Sequence, residues 1–491
     1  MIGHDHNEVR VIVLQSIEPM VNRSHTFLHH LRNVTFGCLM FTGVVGCRDI
    51  TDSQLPDGVE SPSMYNNREG AVRLTQSVMG ALSGAIREYI IESGLLTDEL
   101  NADGSSHGWA DQRRSYYSIR PVTEPYGTLH EVRSLARLAR GIVTKYVSGE
   151  TSSWQGTLFL YEAYAEILLA DGWCSGVPLS TMDFEADWTY RAGSTTTDIY
   201  KHAIVLLDSA YAHAADSLPL QFAIQTLKAR AFVALGRYPD AKAVVEGIGA
   251  DERFPLQISF QAATNPSATT VSAHLFVTRA TVSDREGING LPYLSVRDPR
   301  TFVDSIRVPA GTGPAGVPSH VVWFPRKYMA PDSTSFVITS GIEARLIEAE
   351  ALLHEDNLGG FLTALNTLRT TGSYSSIDTV FNGPAIVRID TAWVAGTGGV
   401  AGLRPLADPG SVAGRLTLLF SERAAWLFVT GNRQGDLRRL IRMYGHDPES
   451  VYPTGAYMGT SETGTYGADI SLAIPAAESR NPLFRGCLNH D

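Results

Sequence analysis

The stretch SERAAWLFVTGNRQGDLRRLIRMYG, residues Ser421–Gly445, is an apolar helical run that breaks at Thr430-Gly431-Asn432 and then resumes as a helix. Leucine and aromatic side chains recur at helical spacing on both sides of the break. Gly431 suits the left-handed end of the first helix, and Gly445 suits the end of the second. A catalytic loop, an anion site or a plain helical hairpin could each explain the break in this stretch.

The charged side chains of this hairpin have two interpretations. Its arginines could bind an anion, or they could form the solvated face of the second helix, which would contain Arg438, Arg439 and Arg442. Asp436 begins that helix, where a carboxylate favours the positive helix end. Glu422 and Arg433 are close enough in a hairpin to pair across it. We predict that the hairpin is scaffold.

Composition excludes some classes of protein. The chain has 491 residues, of which 44% are hydrophobic, and this is enough material for a large core. Its formal net charge of −11 gives no general attraction to nucleic acid or to anionic lipid. We therefore expect no nucleic-acid partner.

The N-terminal region has the shape of an export signal. Two arginines after Met20 precede the apolar run 34–45, which is too short to span a bilayer. The run ends in V-V-G-C at Cys47 and resembles a bacterial lipobox, in which the cysteine is acylated. The alternative is an apolar helix with an incidental cysteine. We predict a signal peptide over 1–47 and a flexible tether over 48–70. Within the first range, Met20 is the expected start of translation, and residues 1–19 precede it.

Two further hairpins follow the same helical pattern. Within 225–248, Ala231, Leu235-Gly236, Tyr238 and Ala241 match the tetratricopeptide spacing A-x-x-x-L-G-x-Y-x-x-A. The range 343–372 repeats the pattern with apolar residues on two successive helices. Long insertions separate these hairpins, so a simple solenoid is not expected.

The insertions lie at roughly 97–128, 250–340 and 372–412 and are rich in Gly, Pro, Ser and Thr. Alternating stretches such as 318–330 predict short strands. Long loops in compact proteins are usually functional or disordered. Aromatic side chains argue against disorder, and those we select as candidate ligand contacts are Trp109, Tyr116, Tyr117, Trp323 and Tyr328. The alternative for each is packing that anchors a loop.

At this point the chain resembles the SusD/RagB family of outer-membrane nutrient-binding lipoproteins. The resemblance depends on the hairpin residues Glu422-Arg423, Leu427, Gly431, Arg433 and Asp436-Leu437-Arg438-Arg439. Supporting segments occur in the family order at 168–180, 343–353 and 472–487. Two positions depart from the usual pattern: Gln434-Gly435 replaces an aromatic pair, and Trp426 stands where glutamate is common.

The resemblance implies a mainly α fold in which tetratricopeptide-like hairpins form a scaffold with loop and short-strand insertions. It implies an N-terminal part at 71–260 and a C-terminal part at 261–491. The function implied is non-enzymatic: binding of nutrient oligosaccharides, or in some members peptides, and their delivery to a SusC-type TonB-dependent barrel. The protein would be lipid-anchored in the cell outer membrane and would need no cofactor.

Two other classes of function stay open on the residues. A tetratricopeptide-type scaffold would bind protein partners and would have no aromatic cluster on the insertions. A glycoside hydrolase would need two carboxyl groups in a cleft. No G-x-S-x-G, P-loop lysine, H-E-x-x-H or C-x-x-C motif occurs.

Two cysteines follow the predicted signal peptide. An exported chain meets an oxidising compartment, where an even pair favours a disulfide. We predict a bond between Cys174 and Cys487, which would attach the C-terminal segment to the end of a central helix. The alternative is two buried free thiols.

Overall fold

The described part of the chain begins at residue 62. A computed structural model of the protein describes residues 62–102, 108–114, 124–147, 151–182, 188–214, 217–259, 280–310, 319–325, 333–377, 390–395, 399–458 and 464–489. Glu60–Asp491 forms one unit, and Met1–Val59 forms a second unit that lies outside this description. The predicted signal peptide, Cys47 and most of the tether therefore stay predictions, as does the division at 260/261.

Helices make up most of the described chain, as predicted. In chain order they are α1 (Arg68–Leu96), α2 (Gly108–Asp111), α3 (Glu124–Tyr146), α4 (Thr151–Gly172), α5 (Thr196–Ala212), α6 (Leu218–Ala234), α7 (Tyr238–Val245), α8 (Gly341–His354), α9 (Leu358–Thr370), α10 (Val412–Trp426), α11 (Arg433–Tyr444) and α12 (Pro448–Val451). Helices that follow one another pack together, from α3 on α4 through α8 on α9. The three predicted hairpins are α6–α7, α8–α9 and α10–α11.

Local sequence explains where these hairpins start and turn. The side chain of Ser340 accepts a hydrogen bond from the backbone N–H of Glu343 and caps α8, and Ser411 caps α10 in the same way. Gly236 has φ +70° in the turn between α6 and α7, a conformation that glycine adopts without steric cost. Gly445 ends α11 at φ +69°, as predicted. Gly431 also has a positive φ but lies four residues beyond the α10 end cap at Leu427.

The core surrounds α4, which is apolar on almost all sides and packs between α3 and α5. Trp173, just after this helix, is fully buried, and its ring contacts those of Tyr89 and Tyr126. None of the described helices combines the length and the apolar character needed to cross a bilayer.

The strands form six antiparallel two-stranded sheets among the described residues. The strand pairs are β1 (Leu100–Ala102) with β7 (Ala280–Val282), β2 (Val177–Pro178) with β5 (Gly193–Ser194), β3 (Thr181–Met182) with β4 (Trp188–Thr189), β6 (Arg253–Ser259) with β10 (Ser333–Ser340), β8 (Val303–Val308) with β9 (His320–Pro325), and β11 (Gly372–Ile377) with β12 (Asp390–Ala395). The short strand predicted within 318–330 is β9.

The α10–α11 hairpin corrects two predictions. Arg438 and Arg439 are buried, so they do not form a solvated face. Arg439 pairs with Glu350 of α8 at 2.9 Å, and Arg438 donates to the carbonyl oxygens of Ala170, Asp171 and Trp173, at the C-terminal end of α4. A cation is favourable there because the last carbonyls of a helix lack partners.

The predicted pair between Glu422 and Arg433 does not form. Arg433 makes two hydrogen bonds, of 2.7 and 2.9 Å, to the carboxylate of Asp98, just after α1. Glu422 instead accepts hydrogen bonds from Arg300 and Arg369. The hairpin is scaffold, as predicted, but it is held by ion pairs to distant segments.

Candidate ligand-binding face

Trp109 lies on the short helix α2, and 37% of its side chain is exposed. The residues that follow it are firmly held. Arg113, which is fully buried, donates to the carboxylate of Glu449 at 2.8 and 3.1 Å and to the carbonyl oxygens of Pro453 and Asp469. The helix is thus anchored to the C-terminal segment while the indole faces outward.

Trp323 lies on β9, where side chains alternate between the two faces as in any half-buried strand. Val322 and Phe324 are buried, whereas Val321 and Trp323 are exposed, the latter at 38%. The backbone N–H of Trp323 donates to the hydroxyl of Thr281 on β7 at 2.8 Å. Because β7 pairs with β1, and β1 precedes α2, connected elements carry both tryptophans.

Polar side chains lie beside Trp323 on the neighbouring strand. The β8–β9 register places Ser305 opposite Trp323 and Arg307 opposite Val321. Directly opposed residues of an antiparallel pair project from the same face, and Ser305 and Arg307 are both exposed. We define the insertion face as Trp109 together with Val321, Trp323, Ser305 and Arg307.

Two carboxyl groups are buried behind Trp109. Asp111, on α2, and Glu286, in the loop after β7, are each 1% exposed and lie within hydrogen-bonding reach of each other. Burial raises the pKa of Asp111 to about 6. Burial, and then the negative charge of Asp111, raise the pKa of Glu286 well above its usual value.

A hairpin of the C-terminal segment covers these carboxyl groups. Its two sides pair at Ala456 and Thr465, and the rings of Tyr457 and Tyr466 meet edge to face with centroids 5.3 Å apart. The hydroxyl of Tyr457 donates to Asp111, and that of Tyr466 donates to Glu286 at 3.0 Å.

The buried pair does not have the arrangement that the glycoside hydrolase alternative requires. A glycosidase presents an acid and a base or nucleophile to a substrate in an open cleft. Asp111 and Glu286 are enclosed and lie within hydrogen-bonding reach of each other. Within the described residues, no group of three His, Cys, Asp or Glu side chains is arranged to hold a metal ion.

Solved structures resemble this chain, although no family model and no curated protein matches it. A SusD superfamily protein from Bacteroides vulgatus ATCC 8482 is 15% identical, with a TM-score of 0.58, and the match covers 86% of this chain and 99% of that one. A SusD superfamily protein from Bacteroides thetaiotaomicron VPI-5482 is 14% identical, with a TM-score of 0.58 and coverage of 86% and 100%. A SusD-like carbohydrate binding protein from Bacteroides vulgatus ATCC 8482 is 12% identical, with a TM-score of 0.55 and coverage of 85% and 97%.

This protein has the SusD-like fold. The resemblance given by the hairpin motif is thereby confirmed at the level of fold. The coverage shows that the likeness extends over nearly the whole length of these structures.

Only some of the predicted site residues lie within the described part of the chain. Trp109 and Trp323 are both exposed, and connected elements carry them. Tyr116, Tyr117, Tyr328 and Cys47 lie outside the described residues, so their roles stay predictions.

The disulfide that the sequence predicts is present. Cys174 and Cys487 are bonded, with their Cα atoms 5.8 Å apart. The backbone N–H of Leu488 donates to the carbonyl oxygen of Ser175 at 2.6 Å, so hydrogen bonding continues the attachment of the C-terminal segment beyond the bond itself. The C-terminal segment is thus attached beside the end of α4.

Sequence reasoning missed one exposed aromatic pair. Trp188 is 55% exposed, and its ring stacks with that of Tyr190 at a centroid distance of 6.1 Å and an angle of 10°. The signal was available, because W-T-Y in a turn-rich stretch places two rings at the i and i+2 positions of a strand. The carboxyl pair had no comparable local signal, because its members lie in different insertions.

Proposed function

We propose that the protein binds nutrient glycans through the insertion face. The observation that carries this proposal is the presence of two exposed tryptophans, Trp109 and Trp323, on connected elements of a SusD-like fold. Aromatic rings present flat apolar surfaces that stack on the apolar faces of sugar rings, while a few polar groups fix orientation. Ser305 and Arg307 supply such groups beside Trp323.

Two further observations support a glycan rather than a protein partner. One structural neighbour is described as a SusD-like carbohydrate binding protein. The scaffold alternative expects no aromatic cluster on the insertions, yet Trp109 and Trp323 are exposed there. The remaining candidates Tyr116, Tyr117 and Tyr328 stay predicted ligand contacts, and a peptide ligand is the alternative within the family.

The proposal includes delivery of the glycan to a SusC-type TonB-dependent barrel in the outer membrane. The support for this part is the family resemblance and the export signal that the sequence predicts up to Cys47. Acylation of Cys47 would hold the protein at the membrane surface, and several acyl chains together anchor far more firmly than one.

Glycan-array binding of the labelled full chain, followed by titration with the strongest glycan found, tests the proposal. We expect Trp109→Ala and Trp323→Ala each to weaken the affinity at least about tenfold, which corresponds to roughly 1.4 kcal/mol. Trp188→Ala is the matched control, because it removes an exposed indole from a different hairpin and should leave the affinity within about twofold. The stability of all three variants should change little. If both insertion-face variants bind as wild type does, the proposal is wrong.

A further inference from the structure

The hydrogen bonds of Asp111 and Glu286 leave one oxygen of each carboxyl group without a donor. Oδ2 of Asp111 accepts from the N–H of Ala102 at 2.8 Å and from the hydroxyl of Tyr457, and Oε1 of Glu286 accepts from Tyr466. The other two oxygens, Oδ1 of Asp111 and Oε2 of Glu286, are buried and have no donor in the described structure. Because an ionised carboxylate cannot donate, two ionised groups could not satisfy each other.

Neighbouring cations do not neutralise this pair. Arg113 is directed to Glu449, and Arg114 donates to the carbonyl oxygen of Thr465. In the described chain, no lysine or arginine forms an ion pair with Asp111 or Glu286. Two buried carboxyl groups within hydrogen-bonding reach, and without a cation, are satisfied by one shared proton.

The pair connects the segments that carry the insertion face. Asp111 is two residues after Trp109 on the same helix. Glu286 follows β7, whose Thr281 accepts the backbone hydrogen bond of Trp323. The contact between the carboxyl groups thus joins α2, which carries Trp109, to the segment that follows β7.

We propose that Asp111 and Glu286 are positioning residues of the insertion face, and that the proton they share holds α2, and with it Trp109, in place. Loss of the proton leaves two adjacent negative charges in a buried site, and their repulsion moves α2 away from the segment after β7, while Arg113 still attaches the residues that follow α2 to the C-terminal segment. The relevance of this contact to ligand binding rests on the proposed function, whereas the contact itself does not.

The other groups around the pair are tyrosine hydroxyls and carboxylates that have partners of their own. Burial raises the pKa of Tyr466, and the adjacent Glu286 raises it further, so its hydroxyl stays protonated. Tyr457 contributes the second hydroxyl. The hydrogen bond from Arg113 lowers the pKa of Glu449, which is therefore already ionised. Asp284, next to Ser283, caps the N–H groups of Leu294 and Ser295. Asp111, whose pKa is raised to about 6, and Glu286, whose pKa burial and the charge of Asp111 raise, are the carboxyl groups here that keep a proton above the usual range.

Fluorine NMR of the full chain labelled with 5-fluorotryptophan tests this proposal without a ligand. The Trp109 resonance is assigned by its absence in Trp109→Phe, and the Trp188 resonance, assigned in the same way, is the internal control. We expect the Trp109 resonance to shift and narrow between pH 5 and 8, because the indole becomes more mobile when α2 moves away. The Trp188 resonance should not follow that transition.

Two single substitutions and their combination identify the shared proton. In Glu286→Gln the amide nitrogen donates to Asp111, and in Asp111→Asn it donates to Glu286, so each hydrogen bond persists without a titrating proton. Both single variants should fold and should keep the low-pH Trp109 resonance up to pH 8. In the double variant the outer oxygens still accept from Ala102 and the two tyrosines, so the two NH2 groups face each other and neither can accept. We therefore expect the N–H of Ala102 to exchange with solvent at least about tenfold faster, which would report a local opening.

The outcomes separate this proposal from the proposed function. A wild-type Trp109 resonance that does not depend on pH overturns the positioning proposal, as does an unchanged pH transition in both single variants. Misfolding of both single variants also overturns it, because both retain the hydrogen bond. If the resonance behaves as expected but no glycan binds, the proposed function fails and the positioning contact stands.

Discussion

The α10–α11 hairpin and the insertion face both bury carboxylates, and they neutralise them differently. In the hairpin, Asp436 lies between Arg423 and Arg439, with nitrogen–oxygen distances of 2.8 and 3.1 Å. Near Trp109 of the insertion face, the buried carboxyl group of Asp111 lies within hydrogen-bonding reach of that of Glu286. A guanidinium provides a permanent charge, whereas a shared proton depends on the surrounding pH.

This difference gives the two regions opposite responses to pH. Burial acts to raise the pKa of Asp436, but Arg423 and Arg439 outweigh it and the pKa is lowered. Stability from a lowered pKa is present above the unfolded-state value and is lost as the pH falls. The raised pKa values of Asp111 and Glu286 act in the other direction, because their contribution is complete at low pH and is lost as the pH rises. The scaffold is thus sensitive to acid and the insertion face to base.

The largest expected effect comes from removing one arginine of the scaffold. Arg433→Met leaves the buried carboxylate of Asp98 without its cation, and we expect the free energy of unfolding to fall by about 3–5 kcal/mol. Lys242→Met is the matched control, because it breaks a half-exposed pair with Glu355 and should cost less than about 1 kcal/mol. Urea unfolding at pH 7 measures both. Equal losses would show that burial of the ion pairs does not govern their contribution.

A second prediction compares the pH dependence of stability in Asp436→Asn and Glu286→Gln. Asp436→Asn should flatten the loss of stability below pH 4, by up to about 1.4 kcal/mol per pH unit, the value for one proton. Glu286→Gln should flatten the loss between about pH 4 and 6, the range set by the raised pKa of Asp111. Urea unfolding from pH 3 to 8 measures both slopes. The two variants should flatten slopes of opposite sign, and flattening of a loss in the same direction of pH change in both variants would contradict the comparison.

The smallest expected effect comes from removing one tyrosine hydroxyl group in each region. Tyr457→Phe removes a donor to Asp111, and Tyr444→Phe removes a donor to Glu350. Glu350 keeps its hydrogen bonds from Arg439, whereas Asp111 has no guanidinium. We expect Tyr457→Phe to cost about 1 kcal/mol more than Tyr444→Phe. Thermal unfolding followed by circular dichroism tests this order, and a reversed order would argue against it.

Local periodicity made the hairpins predictable. Helical periodicity is a local property, because it can be seen in the spacing of apolar residues along one stretch of sequence. It predicts α6–α7 from 225–248, α8–α9 from 343–372 and α10–α11 from 421–445. Gly445 ends its helix as expected for the same reason. The strand β9 followed from an alternation that is equally local.

Burial of charge depends on distant residues, and for the arginines of α11 the expectation from local pattern is wrong. Arg438 and Arg439 were expected at the surface because charged side chains are rarely buried unless paired. The partner of Arg433, Asp98, is 335 positions away. Helical periodicity contains no information about such a partner. The contact of Asp111 with Glu286 was unpredictable for the same reason, whereas Trp109 and Trp323 were recognisable as aromatic residues within insertions.

The bond between Cys174 and Cys487 spans a sequence separation of 313 residues, and this determines when it can form. A ribosome makes Cys174 long before Cys487 exists, so the first thiol must stay reduced and unpaired while most of the body is made. Both α4 and the C-terminal segment must then be close to their final positions before the sulfur atoms can meet. Formation of this bond is therefore a late step in maturation, and it reports that the two ends of that long segment have come together.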